Sequence, residues 1–193
     1  MIIKRKTNHR MKLLKKISVG LLVLLPFIAF AQNIPGKPNP PRLVNDLANV
    51  LSQEEETTLE RKLVAYDDST SNQVTVVTIN TLDDYPIEEY SLKLFRDWEI
   101  GNQSHNNGVL VLAVIKDRKI RIEVGYGLEG AVPDIIANQI ITSDIVPAFR
   151  NKNYYEGLDK ATSSIIAAAA GEYQAPEGYS ERGKKRGFPI TLI

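Results

Sequence analysis

The chain has 193 residues, of which 24 are Lys or Arg and 23 are Asp or Glu, and its formal net charge is +1. It contains no cysteine, which excludes disulfide frameworks, thiolate zinc sites and cysteine nucleophiles.

Residues 1–31 have the pattern of a secretory signal peptide. Seven basic residues and no acidic residue precede an apolar run over 17–30, and Ala29–Ala31 is a sequence that signal peptidase accepts. An uncleaved membrane anchor is disfavoured because the run is shorter than the roughly 20 residues that span the hydrocarbon core. Cleavage after Ala31 leaves 17 basic residues against 23 acidic ones, a net charge of −6, and one histidine, His105. We therefore expect an exported, periplasmic or cell-envelope protein with no nucleic-acid partner and no two-histidine metal site.

Composition divides the rest of the chain into four parts. Residues 32–42 are rich in proline and predict a stiff linker, whereas 43–173 have the composition of one folded domain. Residues 174–187 form a polar, basic linker, and 188–193 are apolar. Because the basic run Lys184–Arg186 directly precedes these apolar residues, we expect the start of a truncated transmembrane helix there, which would anchor the exported domain.

The pattern within 43–173 predicts the order α, β, α, β, β, α, α. Ser52 and Glu55 form a capping box that begins a helix over 52–67, and the β-branched run at 73–80 predicts a strand. Pro86 begins a second helix, which ends at Gly101.

The second half of the domain begins with the apolar run 108–115, which predicts a central strand covered on both faces. Residues 119–124 alternate, with Lys119, Arg121 and Glu123 on an exposed face, which predicts an antiparallel strand nearer an edge. Pro133 begins the next helix, and the last helix covers 154–170. This order predicts a small mixed sheet between layers of helices.

Gly125, Gly127 and Gly130 have the G-x-G-x-x-G spacing of dinucleotide-binding proteins. However, no clear second strand completes a βαβ unit, and Glu129 would place a carboxylate beside the pyrophosphate. An NAD site is therefore disfavoured.

The segment from Gly125 to Asp134 suits a hard cation better. Glycines allow sharp turns that expose carbonyl oxygens, and Glu129 adds a second carboxylate. Asp46, before the first helix, and Asn107, before the central strand, are further oxygen donors. We therefore predict a site for Ca²⁺ or Mg²⁺, formed at one end of the sheet by Asp46, Asn107, Glu129 and Asp134.

Each of these four residues also has a structural alternative. The helix dipole favours Asp134 behind Pro133, and Asn107 fits an ordinary turn. Asp46 could cap local structure, and Glu129 could be solvated surface. Tyr126, in the same glycine segment, either lines a ligand cleft or shields the loop.

Five stretches together resemble the TPM domain family, named after thylakoid lumen, photosystem repair and ion-channel-modulating members. They are VNDLANVLSQEEETTLERKL, QVTVVTINTL, PIEEYSLKLFRDWEIG, NNGVLVLAVIKDRKIRIEVGYGLEGAVPD and IVPAFRNKNYYEGL, and among bacterial proteins they resemble the YgcG-type exported ones. The resemblance implies a three-layer α/β/α sandwich with a mostly four-stranded mixed sheet, calcium or related ions in some members, and modest acid phosphatase activity in one branch. Many members have Asp where this chain has Asn107, so one anionic ligand is neutral here.

We therefore expect an exported module that binds Ca²⁺ or Mg²⁺ and serves an envelope membrane protein or membrane-protein maintenance. The alternative is a metal-assisted phosphomonoester hydrolase in which Asp46, Glu129 and Asp134 hold the ion. The sequence has no aspartyl-phosphate signature and no histidine nucleophile, so this alternative depends on the resemblance.

Overall fold

A computed structural model describes residues 34–102 and 104–171. The predicted signal peptide, the basic linker and the apolar C-terminal residues lie outside the described residues. The elements in chain order are β1 (Val44–Asp46), α1 (Gln53–Thr70), β2 (Gln73–Ile79), α2 (Ile87–Asp97), β3 (Gly108–Val114), β4 (Lys119–Val124), a 3₁₀ turn (Tyr126–Leu128), α3 (Asp134–Ile140), a π turn (Ile141–Ile145), α4 (Val146–Arg150) and α5 (Tyr154–Ala169). Within the described part of the chain, no helix is long and apolar enough to cross a membrane.

The four strands form one sheet in the order β1-β2-β3-β4. β1, β2 and β3 are parallel, and β4 is antiparallel to β3. The entirely apolar β3 lies inside the sheet and the alternating β4 lies at its edge, as predicted. The pattern of predicted elements had missed β1, because a strand of three residues is too short to show a period. Its presence confirms the four-stranded mixed sheet implied by the resemblance.

Helices cover both faces of the sheet, which makes the domain a three-layer α/β/α sandwich. Alternate strand residues point to opposite faces, so Val76 and Val111 join one hydrophobic core with α1, α3 and α5. Val77 and Leu112 join the second core, where they pack against α2.

The ends of the helices agree with the sequence signals to within a few residues. Ser52 Oγ accepts from Glu55 N at 3.3 Å and Glu55 Oε2 accepts from Ser52 N at 2.7 Å, which confirms the capping box. The second helix ends at Asp97 and not at Gly101, because Trp98 already adopts the C-cap position. The helix that follows Pro133 is interrupted by the π turn before it continues as α4.

Residues 34–42, called the N-terminal segment below, are packed against the domain. Ile34 contacts the second core, Trp98 Nε1 donates a hydrogen bond to the Pro35 carbonyl at 2.7 Å, and Lys37 Nζ lies 3.2 Å from Glu99 Oε2. The proline-rich composition predicted a stiff, extended linker and not a packed element, whereas residues 34–42 make these contacts with the domain. Proline favours an extended backbone, but it does not prevent that backbone from packing.

The predicted exposure of Glu123 is also wrong. Its side chain is only 17% exposed, and Glu123 Oε2 accepts hydrogen bonds from Ser91 Oγ at 3.1 Å and Arg121 Nε at 3.2 Å. The reason is that α2 lies over this face of β4, so that the polar alternate residues of the strand meet a helix instead of water.

Candidate functional site

The structure does not bring the four predicted ligands together at one end of the sheet. Asp46 is paired in register with Thr78, which is paired with Ala113 in β3. Asn107 precedes Gly108 at the opposite end of β3, six residues from Ala113. At ~3.3 Å per residue, this separates the two positions by about 20 Å along the strands. The expectation that Asp46 and Asn107 share a site is therefore wrong, because the unpredicted strand β1 runs parallel to β3, so that Asp46 lies at the C-terminal ends of these strands and Asn107 at the N-terminal end of β3.

The carboxylate of Asp46 is used to build the connection between β1 and α1. Its Oδ2 accepts a hydrogen bond from Leu51 N at 2.7 Å, and its Oδ1 accepts one from the Thr78 hydroxyl. The Thr78 hydroxyl in turn accepts from Ala48 N at 3.2 Å. Both carboxylate oxygens thus hold a turn in place, which is the structural alternative for this residue.

Asn107 is buried and connects two loops, the one between α1 and β2 and the one between α2 and β3. It is 7% exposed, its Oδ1 accepts from Asn102 N at 3.0 Å, and its Nδ2 donates to the Ser71 carbonyl at 2.5 Å and to Asn72 Oδ1 at 3.1 Å. An aspartate could not make these two donations. The neutral side chain at position 107 therefore joins the end of α1 to the loop that enters β3.

Glu129 and Asp134 are both exposed and lie within one continuous segment. Successive turns connect them: Val132 N donates to the Leu128 carbonyl at 2.8 Å and Ile136 N donates to the Pro133 carbonyl at 2.8 Å. Over residues 34–102 and 104–171, no group of three or more His, Asp or Glu side chains is arranged to hold a metal ion. Of the four predicted ligands, only Glu129 and Asp134 are exposed at this end of the sheet.

The glycine pattern has a packing role. A Cβ on Gly125 would lie 2.2 Å from the carbonyl oxygen of Asn106, and one on Gly127 would lie 2.0 Å from that of His105. Gly127 N also donates to the Asn106 carbonyl at 3.0 Å. The two glycines therefore let the loop after β4 lie directly on the loop before β3, whereas a Cβ on Gly130 would meet nothing within 4 Å.

Two large apolar side chains stand out from this rigid segment. Tyr126 is 81% exposed and Ile135 is 64% exposed. This exposure contradicts the idea that Tyr126 shields the loop. We call the surface formed by Tyr126, Glu129, Asp134 and Ile135 the rim.

Two helix C-terminal ends lie at the end of the domain that carries the rim, and α3 begins there at Asp134 with the positive end of its dipole. α1 and α5 have no basic residue in their last turns, and the negative ends of their dipoles point to this end of the sheet. Among the described residues, neither the Glu129 carboxylate nor the Asp134 carboxylate has a hydrogen-bond or ion-pair partner; Glu129 bonds only through its backbone N, which donates to the Tyr126 carbonyl at 3.4 Å.

A groove of ≈ 290 Å³ next to the N-terminal segment is a weaker candidate. Four of its five charged side chains, those of Lys37, Arg42, Glu60 and Glu99, have partners in the fold. Arg42 Nη2 lies 3.1 Å from Glu56 Oε2, and Glu60 Oε2 accepts from Val44 N at 2.7 Å. Glu60 thereby covers an outward N–H group of the edge strand β1.

Four displaced pKa values belong to the helices α2 and α5. Burial, with a smaller effect of Asp83, raises the pKa of Tyr90, and burial also raises that of Tyr155. The hydrogen bond between Lys160 and Glu156 lowers the pKa of Glu156 and raises that of Lys160.

The fold and the rim define a class of protein: a small α/β/α domain with a rigid glycine loop at the end of a mixed four-stranded sheet. The model of the TPM domain family, which also carries the name TPM phosphatase, matches residues 44–168. The chain therefore belongs to the TPM domain family, as the sequence resemblance implied.

Solved structures agree with this assignment. The N-terminal domain of a P. gingivalis protein is 38% identical, with a TM-score of 0.63 over 69% of this chain and 85% of that one. The BA42 protein of Bizionia argentinensis is 20% identical, with a TM-score of 0.56 over 66% and 86% of the two chains. The N-terminal domain of the cg2496 protein of Corynebacterium glutamicum is 12% identical, with a TM-score of 0.52 over 72% and 84%. At identities of 20% and 12%, the BA42 and cg2496 structures show a shared fold and no more. No curated protein matches the chain.

Proposed function

We propose that this TPM domain is an exported accessory module that recognises an envelope membrane protein through the rim. The observation that carries the proposal is the exposure of Tyr126 on a backbone held by Gly125 and Gly127. A large aromatic side chain on a rigid backbone loses little conformational entropy when it binds, and such side chains dominate many protein interfaces. Ile135 extends the same surface.

Site-specific photo-crosslinking in the full chain in cells tests the recognition surface. A photoreactive residue at position 126 or 135 should capture one membrane protein, whereas the same residue at position 92, where Leu92 is exposed on α2, should not. Tyr126→Ala should reduce capture at position 135. Equal capture at positions 92 and 126, or none at either, would contradict the proposal.

We propose further that Ca²⁺ or Mg²⁺ binds weakly at the rim. Glu129 and Asp134 supply two carboxylates, and backbone carbonyls and water would complete the 6 to 8 oxygens that Ca²⁺ prefers. Low affinity follows from having only two anionic ligands, since Asp46 lies at the other end of the sheet and Asn107 is neutral and hydrogen-bonded within the fold.

A calcium titration of the domain followed by NMR tests the cation site. Amide signals of residues 126–135 should shift, and the shifts should be lost in the variant Glu129→Gln with Asp134→Asn. Glu89→Gln, on the exposed side of α2, is the matched control and should leave the titration unchanged. Shifts confined to the surroundings of Asp46 would place the cation at the other end of the sheet.

The second candidate is a metal-assisted phosphatase, favoured by the name of the family model. Hydrolysis of a generic phosphomonoester with Mg²⁺ or Ca²⁺ should be compared in the parent, Glu129→Ala and Asp134→Ala. Turnover in the parent that both variants lose would replace the accessory role with a catalytic one. Full turnover in both variants would show that the rim is not the catalytic site.

A further inference from the structure

The hydrogen bonds between β1 and β2 stop short of the start of β2. Val76 N donates to the Leu43 carbonyl at 2.7 Å, so Val76 bonds toward β1, and Val74, two residues earlier in the strand, faces the same way. A longer β1 would donate from Leu43 N to the Val74 carbonyl, but Leu43 N donates to the Glu60 carboxylate instead, at 3.0 Å. Among the residues that the structure describes, neither the N–H nor the carbonyl of Val74 therefore has a hydrogen-bond partner across this edge.

These two backbone groups are buried, because Val74 is 0% exposed. Buried N–H and carbonyl groups are paired in the great majority of cases. The N–H and carbonyl of one strand residue are complementary to the carbonyl and N–H of a second extended chain, and peptides add to a sheet edge in this way. The residues before β1 do not supply that strand, because the backbone bends at Leu43 and Pro41 has no N–H. The open edge therefore fits an extended peptide.

The groove of ≈ 290 Å³ beside the N-terminal segment lies at this open edge. Gln73 and Thr75, on either side of Val74, line it, and the N-terminal segment contributes Pro41 and Arg42 to its wall. Its volume is close to the lower limit for pockets that bind small ligands, and three strand residues are about 10 Å long. The groove therefore admits a short stretch of peptide.

The side chains on one wall of the groove select a basic residue. Residues opposite each other in neighbouring strands have side chains on the same face, and the side chain of Val74 belongs to the core beneath α1. From α1, Val64 and Asp67 line the groove one turn apart. Val64 is 39% exposed, and the Asp67 carboxylate has no hydrogen-bond or ion-pair partner in the described part of the chain. The stem of a Lys or Arg can pack on Val64 while its charged end pairs with Asp67.

We infer that the open edge at Val74 binds an extended peptide segment of another protein, with Lys or Arg opposite Val74. Because Val74 is buried, the peptide moves the N-terminal segment outward as it enters. The exposed ion pairs Lys37–Glu99 and Arg42–Glu56 oppose this movement only weakly. The rim follows β4, at the other edge of the sheet, so this inference does not depend on the proposed function.

A capped pentapeptide, Thr-Val-Lys-Val-Thr, tests the inference when it is titrated at millimolar concentration into the full chain and followed by NMR. The amide signals of Gln73, Val74 and Thr75 should shift, and amide exchange of Val74 should slow. A peptide N-methylated at Lys and at the following Val lacks the donor to the Val74 carbonyl in either strand direction, and it should bind several-fold more weakly. Asp67→Asn should weaken binding of the first peptide, whereas Asp68→Asn, at the exposed neighbour of Asp67 on α1, is the matched control.

Two outcomes would overturn the inference. Equal binding of the methylated peptide would show that no strand is added at Val74, and an absence of shifts at residues 73–75 would show that the edge stays closed. Equal weakening by Asp67→Asn and Asp68→Asn would contradict the place given to the basic residue. The titration reports on the edge at Val74 whether or not the rim has a partner, so its failure is distinguishable from failure of the proposed function.

Discussion

Gly125 and Gly127 are the residues that give the rim its fixed position. Neither has a positive φ, so what they supply is room: the carbonyl oxygens of Asn106 and His105 occupy the positions where their Cβ atoms would be. Gly130 completes the sequence pattern but faces open space. Of the three glycines in the pattern, only Gly125 and Gly127 are required by packing here.

This difference leads to a prediction for two alanine substitutions. Gly127→Ala should lower the free energy of unfolding by about 1–3 kcal/mol, because backbone has to move away from the new methyl group. Gly130→Ala should be neutral or slightly stabilising, since the residue has neither a positive φ nor a close neighbour. Urea denaturation of the two variants measures both effects, and equal midpoints would contradict the packing role of Gly127.

At the scale of elements, α1 and α5 are joined by one side chain. Lys62 Nζ donates to the Asp159 carbonyl at 2.7 Å, and it lies 2.8 Å from Asp159 Oδ1, 2.9 Å from Thr162 Oγ1 and 2.8 Å from Ser163 Oγ. These contacts hold together α1 and α5, which pack on the same face of the sheet. The residues that they join are 100 positions apart in the chain.

Lys62→Met should destabilise the domain by about 1–3 kcal/mol, because hydrogen bonds to a charged group are lost while the apolar stem is kept. Lys160→Met is the matched control, since Lys160 makes an exposed ion pair with Glu156 within α5 and should leave stability close to that of the parent. Thermal unfolding of both variants makes the comparison. A control that is as unstable as Lys62→Met would show that loss of charge, and not the tie between helices, is responsible.

The N-terminal segment is held on α2 by Trp98, which makes its packing testable. Trp98→Phe keeps most of the apolar contact but loses the hydrogen bond to the Pro35 carbonyl, with an expected cost of about 1 kcal/mol. Amide hydrogen exchange in residues 34–42 should become faster, while Leu92→Ala on the exposed side of the same helix should have no such effect. Unchanged exchange in Trp98→Phe would mean that other contacts hold the segment.

At the scale of the whole molecule, buried tyrosines limit stability at alkaline pH. Burial raises the pKa values of Tyr90 and Tyr155 above the ordinary value of 10.0. Below that value both groups are protonated in the folded and the unfolded chain. Above it the unfolded chain loses these protons first and so holds fewer protons than the folded one, and stability falls as pH rises.

Tyr90→Phe should therefore reduce the loss of stability above about pH 10. The free energy of unfolding measured between pH 8 and 11 should fall less steeply in this variant than in the parent. Tyr126→Phe, at the exposed rim, serves as control and should follow the parent. A Tyr90→Phe curve parallel to that of the parent would contradict the role of burial.

Local signals in the sequence were sufficient for most of the fold. The capping box at Ser52, the apolar run of β3 and the alternation in β4 depend on neighbouring residues, and each predicted its element correctly. β1 was missed because three residues cannot display a period. The coverage of Glu123 by α2 was missed because it depends on Ser91 and its helix, 32 residues away in the chain.

The sequence by itself determined the class of fold, the family and the presence of a distinctive glycine segment, because these follow from patterns within short stretches of chain. Only the tertiary structure decided which oxygen donors are neighbours. The parallel pairing of β1 puts Asp46 at one end of the sheet and Asn107 at the other, and hydrogen bonds with distant residues occupy both side chains: Thr78 donates to Asp46, and Asn107 donates to Ser71. Strand direction and the contacts of a side chain depend on residues far apart in the chain, and spacing along the chain does not contain that information.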